Sequence, residues 1–549
     1  MKIVIGLLAV VVLVAGVILA LPFLIDLNKY QDQYKPLIED AFNRKIQLQD
    51  IRLTIWPRIG ARVAGFAALD DPAFGSSLFI TLTSLDVGVK LLPLLSGKVE
   101  VEEITLRDPV ITVIKNKSGV LNVSTIGRTG VELPKTPSRA PIPSTEGPLK
   151  ILALLAVDRV SIASGMLTYR DLSTPTPTEY ILQNMEILLQ SVRLGQSPHL
   201  HIGMLIQPLN LPVRLDGTFG PLKESTDIDA INLQLALGNT DFTITGKTVG
   251  RNASLNISAP AINTANLPVA LPFQKPVDVK NLQITAEVQG QDVLLQNFSF
   301  QLFDGQVTAK GRVRSGSETP PFTGNMTIQG MQLGPGLNAM ATTQVSISGT
   351  AGADLGVQGR GFSMSDLTKS LEGTGHVAVT DGKIEGMNLL QEAISILRVA
   401  GISLDNAKAT AFSTIETDLA IKQGIIHVQR LVIDSHDFQA TGGGTIGFDQ
   451  TLNLTVNLNL SQDLSQTIAR SSPAAKLAMK EGRLSLPLMI TGTAQAPSYG
   501  LDMKALTGKV QEQVQKKVEE AVGGLLKGTT KPKDLKQQGQ GLLKDFFGR

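Results

Sequence analysis

The residues able to do chemistry are few and poorly assembled. His199 and His201 stand two apart, a spacing that sets both rings on one face of a strand, where imidazoles could hold a metal. The chain has no cysteine, and no carboxylate pair lies near them in sequence, so the plainer reading is a pair of strand residues. His376, His427 and His436 are scattered and read as ordinary sheet or turn residues. Asp70-Asp71 offers adjacent carboxylates of the kind used for acid–base work, but before Pro72 it reads as a solvated turn. Gly442-Gly443-Gly444-Thr445-Ile446-Gly447 has the form G-x-G-x-x-G. A dinucleotide site needs a strand before that motif and a helix after it. An alternating segment around Leu452 follows instead, so the glycines read as a flexible turn. Gly246-Lys247-Thr248 echoes a P-loop, with Asp241 where the first glycine must stand. No serine occupies a G-x-S-x-G elbow. The N-x-S/T matches at Asn122 and Asn453 are what strands rich in Asn and Thr produce. The expectation is therefore a non-enzyme with no metal and no cofactor.

Composition narrows the class further. Lys and Arg number 50 against 48 Asp and Glu, a net charge of +2 over 549 residues. Nucleic-acid binders usually show a basic face, so nucleic acid is not expected as a partner. Only 18% of residues are charged, against about 25% in an average soluble domain. Aromatic residues make up 4%, with one Trp (Trp56), so the apolar content is aliphatic. The absence of cysteine removes disulfides, iron–sulfur clusters and thiol catalysis.

The elements follow from hydrophobic periodicity. Met1-Lys2 precedes an uncharged stretch from Ile3 to Ile25, and about 20 such residues span a bilayer as a helix. Lys2 before it suggests a retained signal anchor with the bulk of the chain outside the cytosol. A cleaved signal peptide is the alternative, although Ile18 stands where a small residue is preferred. Residues 28–44 read as a short amphipathic helix. Five prolines between Thr129 and Pro148 mark an extended linker. From Leu149 to about Asp502 the pattern is strand after strand. Ile231-Leu233-Leu235-Leu237 and Leu452-Leu454-Val456-Leu458-Leu460 each alternate with short polar residues. Helical patterns interrupt near 386–400 and 464–480. The tail from about 503 carries one apolar stripe, Leu506, Val510, Val514, Val518, Val522 and Leu525, and a net charge of +5 from Lys504 to Arg549. Its lysines Lys509, Lys516, Lys517 and Lys527 are candidates for an anionic membrane surface. The stripe could equally dock a partner helix or cap an open sheet edge.

A sheet with one aliphatic face must hide it, and the helical segments are too few to cover so many strands. Two solutions stay open: a second sheet closing an ordinary sandwich, or a gutter whose lining is covered by acyl chains. At about 0.8 kcal/mol per CH₂, a chain of ~16 carbons laid along such a lining gains on the order of 10 kcal/mol.

The residues of the N-terminal third resemble the AsmA family of bacterial envelope proteins. The resemblance is carried by the apolar N-terminus, Trp56-Pro57, the run from Val87 to Lys98, the run from Val101 to Ile111, and Gly119 with Asn122. Leu371 to Gly375, Asp381 to Asn388 and Ile490 to Pro497 are similar to its C-terminal part, while about 190–280 matches least. The resemblance implies a single-pass protein of the bacterial inner membrane with most of its chain in the periplasm. It implies a mainly β fold: an N-terminal transmembrane helix, then an extended, curved antiparallel sheet groove related to chorein-type bridge-like lipid transfer proteins, with few helices and a C-terminal amphipathic helix. The corresponding segments are 1–27 (anchor), 28–128 (N-terminal β domain), 129–148 (linker), 149–502 (repeated-strand groove) and 503–549 (basic tail). Phospholipid handling between inner and outer membranes, and outer-membrane homeostasis, is the implied role. Phospholipid acyl chains and the inner membrane are the implied partners, with the outer membrane or envelope proteins beyond them. A non-enzymatic scaffold for outer-membrane assembly is the alternative. The expected groove lining is the apolar phase of the cleanest strands: Leu452, Leu454, Val456, Leu458 and Leu460, with Leu486, Leu488 and Ile490.

Overall fold

The computed structural model describes residues 27–55, 58–96, 100–126, 157–173, 177–266, 275–340, 346–385, 409–471, 479–494 and 496–502. The expected span at Ile3 to Ile25, the proline-rich segment, the helical pattern near 386–400 and the basic tail lie outside them. Among the described residues no helix is long and apolar enough to cross a membrane. The chain is mainly β, with few helices. It forms two compact units, Met1–Ala270 with Gln283–Gly290, and Leu271–Leu282 with the residues from Gln291 onward.

The first unit opens with α1 (Gln31–Phe42), where a helix was expected, and continues as β1 (Ile46–Gln47), β2 (Asp50–Thr54), β3 (Gly60–Leu69) and β4 (Leu78–Val89). A short helix α2 (Leu91–Leu95) precedes β5 (Val101–Arg107) and β6 (Val110–Lys115). Then come β7 (Arg159–Asp171), β8 (Thr178–Gln190), β9 (His199–Gln207), β10 (Leu211–Gly220), β11 (Ile228–Leu237), β12 (Thr240–Val249) and β13 (Asn252–Asn263). From β7 to β13 each strand pairs antiparallel with the next. The expectation of a purely antiparallel sheet needs one correction. β5 and β6 both pair with β7 in parallel, at Glu103↔Arg159 and Val110↔Met166. β4 meets both antiparallel, so β5 and β6 act as one strand broken at Asp108-Pro109. Parallel pairing needs a long crossover, and the chain between Lys115 and Arg159 supplies it. The sheet therefore runs continuously across the proline-rich segment.

The helix α1 packs over β1 and β3 because its Ile38 joins the core of Ile46, Phe66, Ala68 and Leu82, and its Phe42 ring lies 6.2 Å from that of Phe66. Beside this core sits a buried polar cluster. Asp70, its side chain fully buried, accepts from Asn122 Nδ2 at 2.7 Å and from the Asp71 N–H at 2.7 Å. Arg44 Nε stands 4.0 Å from it, while Arg44 Nη2 donates to the Asn122 carbonyl at 2.9 Å and to Thr125 Oγ1 at 2.6 Å. Asn122 Oδ1 accepts from the Ile114 N–H at 3.0 Å. Asp70 is thus a buried clasp between the β3 end and the turn after β6, and the reading of a solvated turn holds only for exposed Pro72 and Ala73 beyond it.

β14 (Asp278–Gln289) is divided between the units. The second unit contains β15 (Asp292–Leu302), β16 (Gly305–Arg314), β17 (Pro321–Gln332), α3 (Leu333–Met340), β18 (Ser346–Arg360), α4 (Met364–Ser370) and β19 (Glu372–Glu385). It continues as β20 (Ala409–Lys422), β21 (Ile425–Asp434), β22 (Phe438–Gly447), β23 (Thr451–Leu460), α5 (Gln462–Ser471), β24 (Met479–Lys480), β25 (Arg483–Thr493) and β26 (Pro497–Leu501). Neighbours pair antiparallel from β15 to β23, and β23 pairs with β25 across the α5 excursion.

Candidate functional site

The polar candidates assemble into surface ion pairs. His199 Nε2 and His201 Nδ1 share a strand face as the spacing requires, and Asp216 of β10 bridges them at 3.3 and 2.9 Å. The His201 contact holds the Asp216 carboxyl below its usual range. His376 of β19 meets Asp418 of β20 at 2.8 Å, and Arg430 of β21 meets the same carboxylate at 3.2 Å. Among the described residues no group of three or more acidic or histidine side chains is arranged to hold a metal. Gly246-Lys247-Thr248 lies inside β12, where no phosphate loop forms. The Gly442–Gly447 segment is not the flexible turn that was expected but the second half of β22. A Cβ at Gly442 would stand 2.2 Å from the Thr455 carbonyl oxygen and 2.8 Å from Val456 Cα, so glycine there allows close strand approach.

The apolar phase is organised over a much longer range. In the first unit the register carries Val63 (β3) to Leu85 (β4), Leu106 (β5), Ile162 (β7), Ile187 (β8), Ile202 (β9), Leu215 (β10), Leu235 (β11) and Phe242 (β12). A second row, two residues along the strands, includes Val160, Leu200, Leu233, Ile244 and Ile257. Every residue of the first row is half-buried and none is fully enclosed. The inner face of a sandwich would enclose its central residues; this face keeps part of each side chain accessible. The opposite phase is polar, running His201, Asp216, Gln234, Thr243 and Ser258, with Thr243 Oγ1 donating to Gln234 Oε1 at 3.0 Å.

The second unit carries a comparable row: Phe298, Ala309, Met326, Leu355, Gly375, Leu419, Val428, Gly444, Leu454 and Ile490, from β15 through β25. Its glycines are covered by neighbours; a Cβ at Gly375 would fall 2.3 Å from Leu355 Cδ2. Along the strands, however, this face closes. On β23, Leu452 and Leu454 are half-buried, Val456 is 4% exposed, and Leu458 and Leu460 are at 0%. Leu484, Leu486, Leu488, Phe438, Phe412 and Ala440 share that core, and Ile468 of α5 is buried within it. The helix is held there by Ser465, whose Oγ accepts from the Leu484 N–H at 2.8 Å and donates to the Ser461 carbonyl at 2.7 Å. Leu464 and Ile468, four apart, give α5 one apolar stripe.

The expected lining is thereby divided. Leu452, Leu454 and Ile490 lie on the half-open part of the face. Val456, Leu458, Leu460, Leu486 and Leu488 lie in a packed core, because α5 returns across the sheet between β23 and β25. Lys509, Lys516, Lys517 and Lys527 fall outside the described residues. The half-open rows on β7 to β12 were not singled out from sequence, although their period-two alternation was readable there.

The AsmA family model matches residues 2–268 and 274–431, most of the chain. The chain belongs to the AsmA family. The match runs through 190–268, where the quoted motifs are sparse, and stops before Ile490 to Pro497. No curated protein and no solved structure matches this AsmA-family chain.

Proposed function

We propose that this AsmA-family protein carries phospholipid acyl chains along the apolar faces of its sheets and handles phospholipid between the inner and outer membranes, sustaining the outer membrane. Residues 1–27 would anchor it in the inner membrane with the bulk of the chain in the periplasm. Contact with the lipid is hydrophobic, and no chemical step is assigned to any residue. The half-buried row from Val63 to Phe242 carries the reading, since nine strands align apolar side chains, eight aliphatic and one Phe, none of them fully enclosed even where Leu85 and Leu106 pack against the core beneath α1. A scaffold would have its apolar face closed throughout, as it is around Leu458.

The test is photo-crosslinking in cells. A photoreactive amino acid at Leu235 or Ile244 should capture phospholipid, while the same group at Gln234 or Thr243, on the opposite face, should not. Equal capture from both faces, or none from Leu235, refutes the proposal.

A further inference from the structure

The polar face of the N-terminal strands holds a cavity of about 330 Å³ with four arginines in its lining, Arg58, Arg62, Arg107 and Arg159. Two acids share that lining, Asp86 and Glu103. Asp86 is bonded by Arg62 Nε at 2.6 Å and Arg107 Nε at 2.9 Å, and Glu103 pairs with Arg58. The lining therefore keeps an excess of positive charge. Arg159 sits in register with Glu103 across the parallel β5–β7 pair, but Glu103 is already engaged by Arg58 and Thr105. The Arg159 side chain has no ion pair or hydrogen bond among the described residues, so a guanidinium with five donors faces the cavity unengaged.

A second feature adjoins it. Gly88 lines the cavity, and three residues on begins α2, which exposes three leucines: Leu91 at 43%, Leu92 at 79% and Leu94 at 36%. Lys90, between the two, is tied at 3.6 Å to Asp158, the residue before Arg159. Free leucines beside an arginine-lined cavity match the two halves of a membrane interface, acyl region and phosphate.

We propose that the Arg58–Arg62–Arg107–Arg159 cavity binds the phosphodiester headgroup of an anionic phospholipid, with α2 set into the adjoining acyl layer. Bidentate guanidinium–phosphate pairing supplies the recognition, and Arg159 is the residue free to make it. The site stands apart from the apolar row, which lies on the other side of the same strands.

The full chain, held in a nonionic detergent, is dialysed to equilibrium against radiolabelled dihexanoyl phosphatidylglycerol. Arg159→Gln should weaken binding about tenfold and Arg159→Glu should abolish it. Arg159→Gln should melt like the parent, because no ion pair is broken. Glycerophosphoglycerol, the same phosphodiester without acyl chains, should compete with the probe, which separates the site from the apolar row. In nanodiscs containing phosphatidylglycerol, a photoreactive group at Leu92 should capture phospholipid. Unchanged binding in both Arg159 variants overturns the proposal. Competition by inorganic phosphate as strong as by the lipid assigns the cavity to a bare anion and overturns it too, as does failure of Leu92 to capture lipid.

Discussion

Aspartate placed at Leu235 and at Leu458 separates an open apolar face from a closed one. Both leucines lie on the apolar phase of their sheets, and both read alike in sequence. Leu458 is at 0% exposure in a core with Ile468 and Leu486. Losing its burial forfeits ~1.5–3 kcal/mol, and forcing a polar group into that core adds ~2–7 kcal/mol. The total rivals the whole stability of a domain, about 5–15 kcal/mol. Leu235 keeps part of its surface exposed, so the new carboxylate can reach water and the loss is confined to ~1–2.5 kcal/mol of transfer free energy. At roughly 2–4 °C per kcal/mol for a unit of this size, that is a melting shift of about 2–10 °C. Scanning calorimetry on the full chain should show Leu458→Asp losing a cooperative transition and Leu235→Asp keeping both. Native mass spectrometry should then find Leu235→Asp depleted of phospholipid. If Leu235→Asp unfolds its unit as Leu458→Asp does, the row is an ordinary core. If it folds and carries as much lipid as the parent, the face is not the binding surface.

Three further outcomes follow from the local chemistry. Asn122→Ala strips the Ile114 N–H and an Asp70 oxygen of buried partners, and should cost about 2–6 kcal/mol in urea unfolding, at ~1–3 kcal/mol per orphaned group; a loss under 0.5 kcal/mol would show that the clasp is not closed. Gly442→Ala puts a methyl against the Thr455 carbonyl and should destabilise the second unit by ~1–3 kcal/mol, with faster amide exchange on β22 and β23. Ser173, through its hydroxyl and backbone N–H, together with Lys115, holds the Asp171 carboxyl at about 2 against an ordinary 3.8. A carboxyl lowered on folding stabilises above its ordinary value and loses that contribution as pH falls toward the folded value. The urea midpoint of Asp171→Asn should therefore lie below the parent's at pH 7, with the gap closing between pH 3.8 and about 2; a gap that persists unchanged at pH 2 would contradict this.

Period-two alternation exposed most of the strands. Ile231 to Leu237 became β11 and Leu452 to Leu460 became β23, because side chains that alternate in type must alternate in face. Alternation is silent on what lies above a face. Leu454 and Leu458 are four residues apart on one strand and chemically alike, yet only Leu458 lies in the core shared with Ile468 of α5. The parallel β5–β7 pairing was equally hidden, since a crossover leaves no periodic mark. Gly442 to Gly444 was misread because glycine serves turns and close strand approach alike, and only the partner backbone at Thr455 decides between them. Asp70 escaped because its partner Asn122 stands 52 residues away. The AsmA resemblance rested on ordered short motifs, which require no knowledge of packing.

A half-open aliphatic face is energetically odd unless something covers it. Nine row residues, each leaving a few tenths of a kcal/mol to ~1 kcal/mol of transfer free energy unrealised, sum to about 1–10 kcal/mol in the first unit. An acyl chain of ~16 carbons withdrawn from water gains on the order of 10 kcal/mol. One contact between them would serve the deficit of the protein and the demand of the lipid together. A bilayer offers the same chain the same gain, so exchange between membrane and row would be nearly isoenergetic. Loading should then follow the lipid activity of whichever membrane the open face meets, and net flow requires a difference in that activity or an external source of work. A strongly polar lining could not behave this way, because each headgroup or chain would have to trade water for a fixed partner at every step. Leucine, isoleucine and valine at half-burial would hold a lipid without specifying where along the row it sits.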